Sequence, residues 1–247
     1  MLSLLVVTKC DGAEKPHNSH VKLHDFAKEY NLSIEARSNE HIILSNTLTW
    51  VSFSSGARRV TFNDLVLFMN GPLLEENGKW LMSVEDAENV FGPMMTLAPP
   101  SNGLPLPLVI LDAGHGGGDT GARGQHKTVE KRIALDIAKR VQCKLQSSGA
   151  AVELTRQKDH TIELADRPAY AARSGGNIFV SIHLNSSPNS HAHGIETYVL
   201  PSRSFPSTSR TSGSNGMCLG NISDSLNSLL SYFIHKEVLR STQANDR

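Results

Sequence analysis

The second half of the chain alternates short apolar segments with segments of helical periodicity, and this alternation constrains the fold more than any other feature. Strands alternating with helices favour an α/β domain with a mostly parallel sheet flanked by helices. We predict this domain over residues 108–247. Its predicted strands cover residues 108–112, 152–155, 178–183 and 195–200, and its predicted helices cover residues 130–147, 164–173 and 222–234.

The first half of the chain shows a different pattern. Apolar residues at helical spacing between Leu23 and Tyr30 predict a short helix, and short apolar alternations near residues 34, 43, 52 and 61 predict strands. A second helix is predicted to begin after Ser83, a suitable N-cap, and to end at Gly92 and Pro93. These elements predict a small α+β domain over residues 21–97. A proline-rich linker over residues 98–107 connects it to the second domain.

Residues 1–20 are predicted to be a disordered leader or the remnant of an export signal. Their apolar run between Leu2 and Val7 is too short to cross a bilayer. The 24 basic and 24 acidic residues balance, so no overall charge favours nucleic acid or an anionic membrane surface. We therefore predict no nucleic-acid partner and no membrane span, and the function has to be argued from local motifs.

One motif concentrates chemistry at the end of a predicted strand. His115 lies among glycines in the segment VILDAGHGGGDTGA, Glu130 begins the next predicted helix, and His183 ends another strand. Two histidines and one carboxylate form the ligand set of catalytic zinc sites, in which the fourth position is left for water. The spacing leaves structural alternatives open, because isolated histidines are commonly exposed and a helix dipole favours an acidic residue at its start.

Two other patterns in the sequence could also indicate a binding site. Gly116, Gly118 and Gly121 satisfy the spacing of a dinucleotide-binding loop, but no helix opens directly after them, and this disfavours the interpretation. His191 and His193 are two residues apart in a polar segment. They are predicted to line a substrate groove or to face water.

The motifs GHGGGDTGA, LTRQKDHTIELADRPAYAA and FVSIHLNSSPNSHAHGIETYVL, in this order, resemble those of the zinc-dependent N-acetylmuramoyl-L-alanine amidases. The resemblance implies a zinc ion held by His115, Glu130 and His183, and hydrolysis of the amide bond between N-acetylmuramic acid and L-alanine in peptidoglycan. It further implies a monomer in the cell envelope, periplasmic or extracellular, with peptidoglycan as its partner. Residues expected to orient the ligands or to contact the substrate are Asp112, Asp119, Asn185 and Glu196. Arg156 and Arg167 match arginines that recur in the family, and we expect both to form salt bridges inside the domain.

The chain departs from this family at one point. In the resembling enzymes the general acid/base is a glutamate on the last strand, in a motif like VLVEGGFLSN. Residues 1–247 contain no such motif. We therefore expect no catalytic acid/base within the chain and place the glutamate beyond Arg247. The alternative is a catalytically silent, zinc-containing protein that binds peptidoglycan.

The first half also carries a resemblance. Its segments LHDFAKEYNLSI and RRVTFNDLVLFMNGPLLEENGKWLMSVEDAENVFG are similar to the copper amine oxidase N-terminal-like repeat. This implies a wall-binding or spacer role. No copper site is predicted, because His24 and His41 lie in different elements without ligand-like spacing.

Overall fold

The computed structural model describes residues 2–8, 19–38, 40–96, 107–124, 127–187, 189, 191–202, 205, 221 and 223–246. The chain divides into two compact units. Unit 1 comprises Met1–Asp11, Pro100–Val199 and Leu230–Arg247, and unit 2 comprises Gly12–Pro99 and Leu200–Leu229. Nearly all of the predicted linker lies outside the described residues.

The described strands and helices are numbered along the chain. The strands are β1 (Leu2–Thr8), β2 (His20–Lys22), β3 (Ser33–Ser38), β4 (His41–Ser45), β5 (Trp50–Ser54), β6 (Arg59–Phe62), β7 (Leu65–Phe68), β8 (Leu74–Glu76), β9 (Lys79–Ser83), β10 (Leu108–Ala113), β11 (Ala151–Leu154), β12 (Ile178–Leu184) and β13 (Ile195–Val199). The helices are α1 (Leu23–Glu29), α2 (Val84–Asp86), a π-helical turn (Ala87–Phe91), α3 (Gly92–Thr96), α4 (Glu130–Ser147), α5 (Asp166–Arg173) and α6 (Asp224–Thr242).

Unit 1 is built on a five-stranded sheet in the order β11, β10, β12, β1, β13. Strand β10 runs parallel to both β11 and β12. Strand β1 runs antiparallel to β12 and parallel to β13. The predicted α/β class is therefore confirmed, and the predicted parallel pairing holds except between β1 and β12.

Strand β1 corrects one prediction. Residues 1–20 were predicted to be a disordered leader or the remnant of an export signal, but residues 2–8 form a strand between β12 and β13, which contradicts disorder there. A short apolar run is compatible with a strand. Its partners lie far along the chain, Leu2 pairing with both Leu184 and Ile195, so no local pattern could reveal the pairing. Residues 9–18 lie outside the described residues.

The sheet of unit 1 is covered on both faces, as a parallel sheet requires. On one face α4 packs its fully buried Ala134 and Ala138 against Leu111 of β10. On the other face Ala171 of α5 contacts Ile110 and its neighbours. Because β10 and β12 are parallel and adjacent, their carboxyl ends meet at one edge of the sheet, between these two helices.

Unit 2 contains an antiparallel sheet in the order β3, β4, β5, β6, β7 and a second one in the order β2, β9, β8. Phe91 lies at the centre of its core, with the Phe53 ring 5.5 Å away and the Phe26 ring 6.3 Å away. The predicted helix after Ser83 is present, but its predicted end is wrong because the chain stays helical through Thr96. The π-helical turn, which ends with Gly92 N donating to the carbonyl oxygen of Ala87, comes directly before Pro93, so the regular α-helical hydrogen bonding is already interrupted where the proline stands.

Within the described part of the chain, none of the helices combines the length and the apolarity that a membrane crossing needs.

Candidate metal centre

The glycine-rich loop after β10 brings the backbone unusually close to two histidine rings. A Cβ on Gly114 would lie 2.4 Å from His183 Cε1, and a Cβ on Gly121 would lie 2.5 Å from His115 Cδ2. Gly121 also has φ +62°, in the left-handed region that favours glycine. Only glycine at these two positions leaves both imidazoles where they are.

Three side chains converge at this edge of the sheet. His115 Nε2 lies 3.0 Å from Glu130 Oε1, and His183 Nδ1 lies 3.1 Å from the same oxygen. The two ring nitrogens are 3.2 Å apart. Glu130 is 5% exposed, whereas the side chains of His115 and His183 are 22% and 31% exposed. The carboxylate therefore forms the buried side of the cluster, and the imidazoles form its accessible side.

Glu130, the first residue of α4, is held by backbone donors on both oxygens. Leu184 N donates to Oε1 at 2.7 Å, and Ala122 N donates to Oε2 at 2.8 Å. Burial by itself raises the pKa of Glu130. The two backbone hydrogen bonds and the nearby charge of His115 and His183 outweigh burial, so the pKa is lowered from its ordinary value. The side chain is thus kept as an oriented carboxylate.

Asp119 orients the ring of His115 from the side opposite Glu130. His115 Nδ1 donates to Asp119 Oδ2 at 2.8 Å, while Gly121 N donates to Oδ1 at 3.0 Å. The hydrogen bond from His115, followed by the one from Gly121, lowers the pKa of Asp119. With Nδ1 protonated, Nε2 presents its lone pair to the cluster, which is the arrangement of metal-binding histidines.

The donor set fits a tetrahedrally coordinated metal ion. Two imidazole nitrogens and one carboxylate oxygen, each about 2.0–2.2 Å from a common centre, would be separated by roughly 3.3–3.5 Å along the edges of a tetrahedron. The observed separations of 3.0, 3.1 and 3.2 Å are slightly shorter, and a small outward movement would accommodate the ion. Among the described residues these three form the group that meets the requirements of a metal site.

Asp112, on β10, is held by side chains other than the two imidazoles. It is 1% exposed and accepts hydrogen bonds from Thr155 Oγ1 and Ser181 Oγ, each at 2.6 Å, and from Arg167 Nη1 at 2.9 Å. Arg167 in turn donates from Nη2 to the carbonyl oxygen of His115 at 3.0 Å. Asp112 is therefore linked to the loop through the arginine.

Arg156 differs from the expected salt bridge. Its hydrogen-bond partners among the described residues are backbone carbonyl oxygens, those of Ala113, Gly114, Lys131 and Lys158. The expectation is wrong for Arg156 and correct for Arg167, which pairs with Asp112. Carbonyl oxygens are present at every residue, so sequence motifs could not identify them as partners.

The remaining predicted residues are not members of the candidate metal group. Asn185 Nδ2 donates to Glu196 Oε2 at 3.2 Å, and Tyr198 Oη donates to the same oxygen at 2.8 Å. His193 and His191 are exposed, and His193 Nδ1 donates to the carbonyl oxygen of His191 at 2.8 Å. None of these side chains belongs to the candidate metal group.

Comparison with known proteins finds amidases that match part of this chain. N-acetylmuramoyl-L-alanine amidase AmiA of Salmonella typhimurium is 43% identical over 96 residues, which cover 39% of this chain and 33% of that protein. N-acetylmuramoyl-L-alanine amidase LytC of Bacillus subtilis is 43% identical over 90 residues, which cover 36% of this chain and 18% of that protein. The chain thus spans about a third or less of the length of these relatives.

Among solved structures, the catalytic domain of the amidase CwlV from Bacillus (Paenibacillus) polymyxa var. colistinus is 41% identical. The match covers 36% of this chain and 51% of that one, with a TM-score of 0.35. The sequence profile of the N-acetylmuramoyl-L-alanine amidase family, Amidase_3, matches residues 109–247, which is more than half of the chain. The chain therefore belongs to the N-acetylmuramoyl-L-alanine amidase family.

Proposed function

We propose that the chain binds one zinc ion through His115, Glu130 and His183, and that the protein hydrolyses the amide bond between N-acetylmuramic acid and L-alanine in peptidoglycan. The observation that carries this proposal is the convergence of the three donor atoms within 3.2 Å of one another. Two imidazoles, one carboxylate and an accessible side are the features of a catalytic zinc site.

Each ligand has a defined task in this proposal. A zinc ion, when bound, supplies a Lewis acid for the scissile carbonyl and for the water nucleophile. Glu130 contributes the anionic ligand, held on both oxygens by backbone N–H groups. His115 contributes Nε2 because Asp119 holds the proton on Nδ1. His183 contributes Nδ1 from the end of β12.

Amide hydrolysis also needs a group that moves a proton from the water to the leaving amine. Glu130 belongs to the ligand set, Asp119 is engaged by His115, and Glu196 accepts hydrogen bonds from Asn185 and Tyr198. We propose that this role belongs to a glutamate in the position of the VLVEGGFLSN-like motif of the resembling enzymes, a motif that residues 1–247 do not contain. A positioned general acid/base contributes on the order of 10² to 10⁴ in rate.

The proposed substrate sets the proposed location. Peptidoglycan lies outside the cytoplasm, so the protein would act as a monomer in the cell envelope, either in the periplasm or outside the cell. The small domain over residues 21–97 would then serve as a wall-binding or spacer module. Fractionation of cells that express the gene tests the location, and a purely cytosolic protein would contradict it.

The reaction is tested on purified sacculi with zinc-loaded protein. Stem peptides that carry a new amino-terminal L-alanine are quantified for this chain and for a version extended by a segment with the VLVEGGFLSN-like motif, each with and without His115→Ala. We expect release by the extended version that is lost in His115→Ala, and release by this chain that is about 10² to 10⁴ slower. Zinc binding without any release from either protein would support the silent binding protein. Equal rates would instead place the acid/base within residues 1–247, with Glu196 as the first residue to substitute.

A further inference from the structure

Two buried guanidinium groups donate to three consecutive backbone carbonyl oxygens at the point where β10 passes into the glycine-rich loop that carries His115. The carbonyl oxygen of Ala113 accepts from Arg156 Nε at 2.9 Å and from Arg167 Nη1 at 3.1 Å. The carbonyl oxygen of Gly114 accepts from Arg156 Nη2 at 2.8 Å, and that of His115 accepts from Arg167 Nη2 at 3.0 Å. The loop is thus fixed at the ligand residue and at the two residues before it.

The two arginines reach the loop from separate parts of unit 1. Arg156 follows β11 and is 1% exposed, and Arg167 lies on α5 and is 6% exposed. Each also donates to carbonyl oxygens outside the loop: Arg156 to those of Lys131 and Lys158, and Arg167 to that of Ile162. Asp112 supplies the carboxylate that pairs with Arg167. The loop is therefore connected to several other segments of the unit.

The backbone at His115 needs such support. Its φ of +59° lies in the left-handed region, which is costly for a residue with a Cβ. Glycines at 114, 116, 117 and 118 surround it and leave the free loop a wide choice of conformations. Hydrogen bonds that fix the carbonyl groups of residues 113–115 restrict this choice, and they also fix the direction in which the imidazole leaves the backbone.

From this geometry we propose that Arg156 and Arg167 are positioning residues for the metal centre. Their hydrogen bonds hold His115 in its ligating conformation before the metal binds, so that binding does not have to order the loop. The proposal rests on the metal site of the proposed function. Neither arginine touches the metal or the substrate, and both act through the backbone of His115.

A conservative substitution separates this role from general stabilisation. Arg167→Lys keeps the charge beside Asp112 but loses the planar fork that reaches the carbonyl oxygens of residues 113 and 115. Arg156→Lys likewise loses the planar guanidinium group that donates to the carbonyl oxygens of residues 113 and 114. Arg173→Lys, on the exposed side of the same helix α5, is the matched control. Val152→Ala weakens the core of unit 1 without touching the loop and is the control for lost stability.

Metal affinity is measured by competition with a chelator, and ligand geometry by the visible spectrum of the cobalt-substituted protein. Circular dichroism and thermal unfolding of the metal-free proteins accompany both. We expect Arg167→Lys and Arg156→Lys each to weaken metal affinity by about 10-fold to 100-fold and to change the cobalt spectrum. Arg173→Lys and Val152→Ala should retain the affinity and spectrum of the unsubstituted protein, even where Val152→Ala lowers the melting temperature.

An affinity of a folded arginine variant within twofold of the unsubstituted protein would overturn the proposal, and so would an equal loss in Val152→Ala. If Arg167→Lys does not fold, Arg156→Lys decides by the same criteria. Absence of metal binding in the unsubstituted protein would overturn both this proposal and the proposed function. Retained metal binding without hydrolysis of peptidoglycan by the version extended through the VLVEGGFLSN-like motif would overturn the proposed reaction alone.

Discussion

Each unit contains a buried aspartate that fixes a loop, and the two differ in their partners. In unit 2, Asp86 is fully buried and accepts from Asn70 N at 2.7 Å, from Gly71 N at 3.1 Å and from Ser83 Oγ at 2.6 Å. In unit 1, the equally buried Asp112 accepts from two hydroxyl groups and from the charged Arg167. Neutral donors bind Asp86, whereas a cation binds Asp112.

The difference shows how one kind of buried group serves two purposes. The N–H groups that donate to Asp86 come from Asn70 and Gly71, in the loop that it ties down. Ser83 Oγ donates from the start of the helix that carries Asp86. Arg167 has donors left after pairing with Asp112, and it uses them on the carbonyl oxygens of the loop that carries His115. A buried ion pair is weak evidence of stabilisation by itself, but it supplies a charged donor at a fixed place. We interpret Asp86 as structural and Asp112 as support for the metal centre.

The largest expected effect is that of Asp112→Asn. The substitution keeps the volume of the side chain but leaves the Arg167 charge buried without its carboxylate. Breaking a buried pair in this way costs about 3–5 kcal/mol. Urea unfolding monitored by circular dichroism measures the change, and a chelator competition measures metal affinity, which should fall as well. A loss below about 1 kcal/mol, well short of the cost of a broken buried pair, would remove the distinction between the two aspartates.

In unit 2, Asp86→Asn should have a smaller effect on stability and none on metal binding. An amide replaces one acceptor oxygen with a donor, so at least one of the N–H or hydroxyl groups that face Asp86 loses its partner. An unsatisfied buried group costs about 1–3 kcal/mol. Asp64→Asn, at an exposed turn in the same unit, is the control and should change little. Weakened zinc binding in Asp86→Asn would show that the aspartate of unit 2 is not purely structural.

Substitutions at two glycines of the loop that carries His115 test the candidate metal centre without changing either aspartate. A Cβ on Gly114 would lie 2.4 Å from the His183 ring, whereas a Cβ on Gly118 would meet nothing within 4 Å. Gly114→Ala should therefore displace the ring and lower zinc affinity by at least about tenfold, equivalent to ~1.4 kcal/mol. Gly118→Ala should leave the affinity unchanged. Equal affinities in the two variants would mean that the position of His183 does not control metal binding.

The smallest expected effect is the pH dependence at Asp86. Burial raises the pKa of Asp86 above its ordinary value of 3.8, against the opposing effect of its hydrogen bonds. A carboxyl group with a raised folded-state pKa contributes most to stability below its unfolded-state pKa, and this contribution declines as pH rises through the folded-state pKa. The asparagine side chain of the Asp86→Asn variant does not titrate. The unfolding free energy of the unsubstituted protein, relative to that of Asp86→Asn, should therefore fall as the pH rises above about 4. A difference that grows with pH would show that the hydrogen bonds outweigh burial.

Local patterns predicted the elements that carry a clear apolar period or a continuous apolar run. Helix α4 spans Glu130–Ser147, as its apolar period predicted, and β10 and β12 lie within one residue of their predicted ends. Strand β1 was not predicted, because its pairing with β12 and β13 depends on residues far along the chain. The helical end at Pro93 was also mispredicted, because the sequence pattern did not reveal the π-helical turn that precedes the proline.

The candidate site was predictable to a similar extent. Histidines that end or follow apolar strands, with a glutamate that begins a helix, could be placed at one sheet edge from sequence, and the structure brings their donor atoms together. The hydrogen bonds of Arg156 and Arg167 to backbone carbonyl oxygens could not be predicted. A backbone carbonyl oxygen accepts a hydrogen bond whatever its residue type, so the sequence contains no complementary side chain that would indicate such a pairing.

Metal analysis of the purified protein tests the central claim most directly. After reconstitution with zinc and removal of excess metal, the unsubstituted chain should hold one zinc ion per molecule. His115→Ala, with an unchanged circular dichroism spectrum, should hold almost none, because one of the three converging ligands is lost. Zinc content near zero in the reconstituted unsubstituted protein, or undiminished content in His115→Ala, would contradict the assignment of the metal centre to His115, Glu130 and His183.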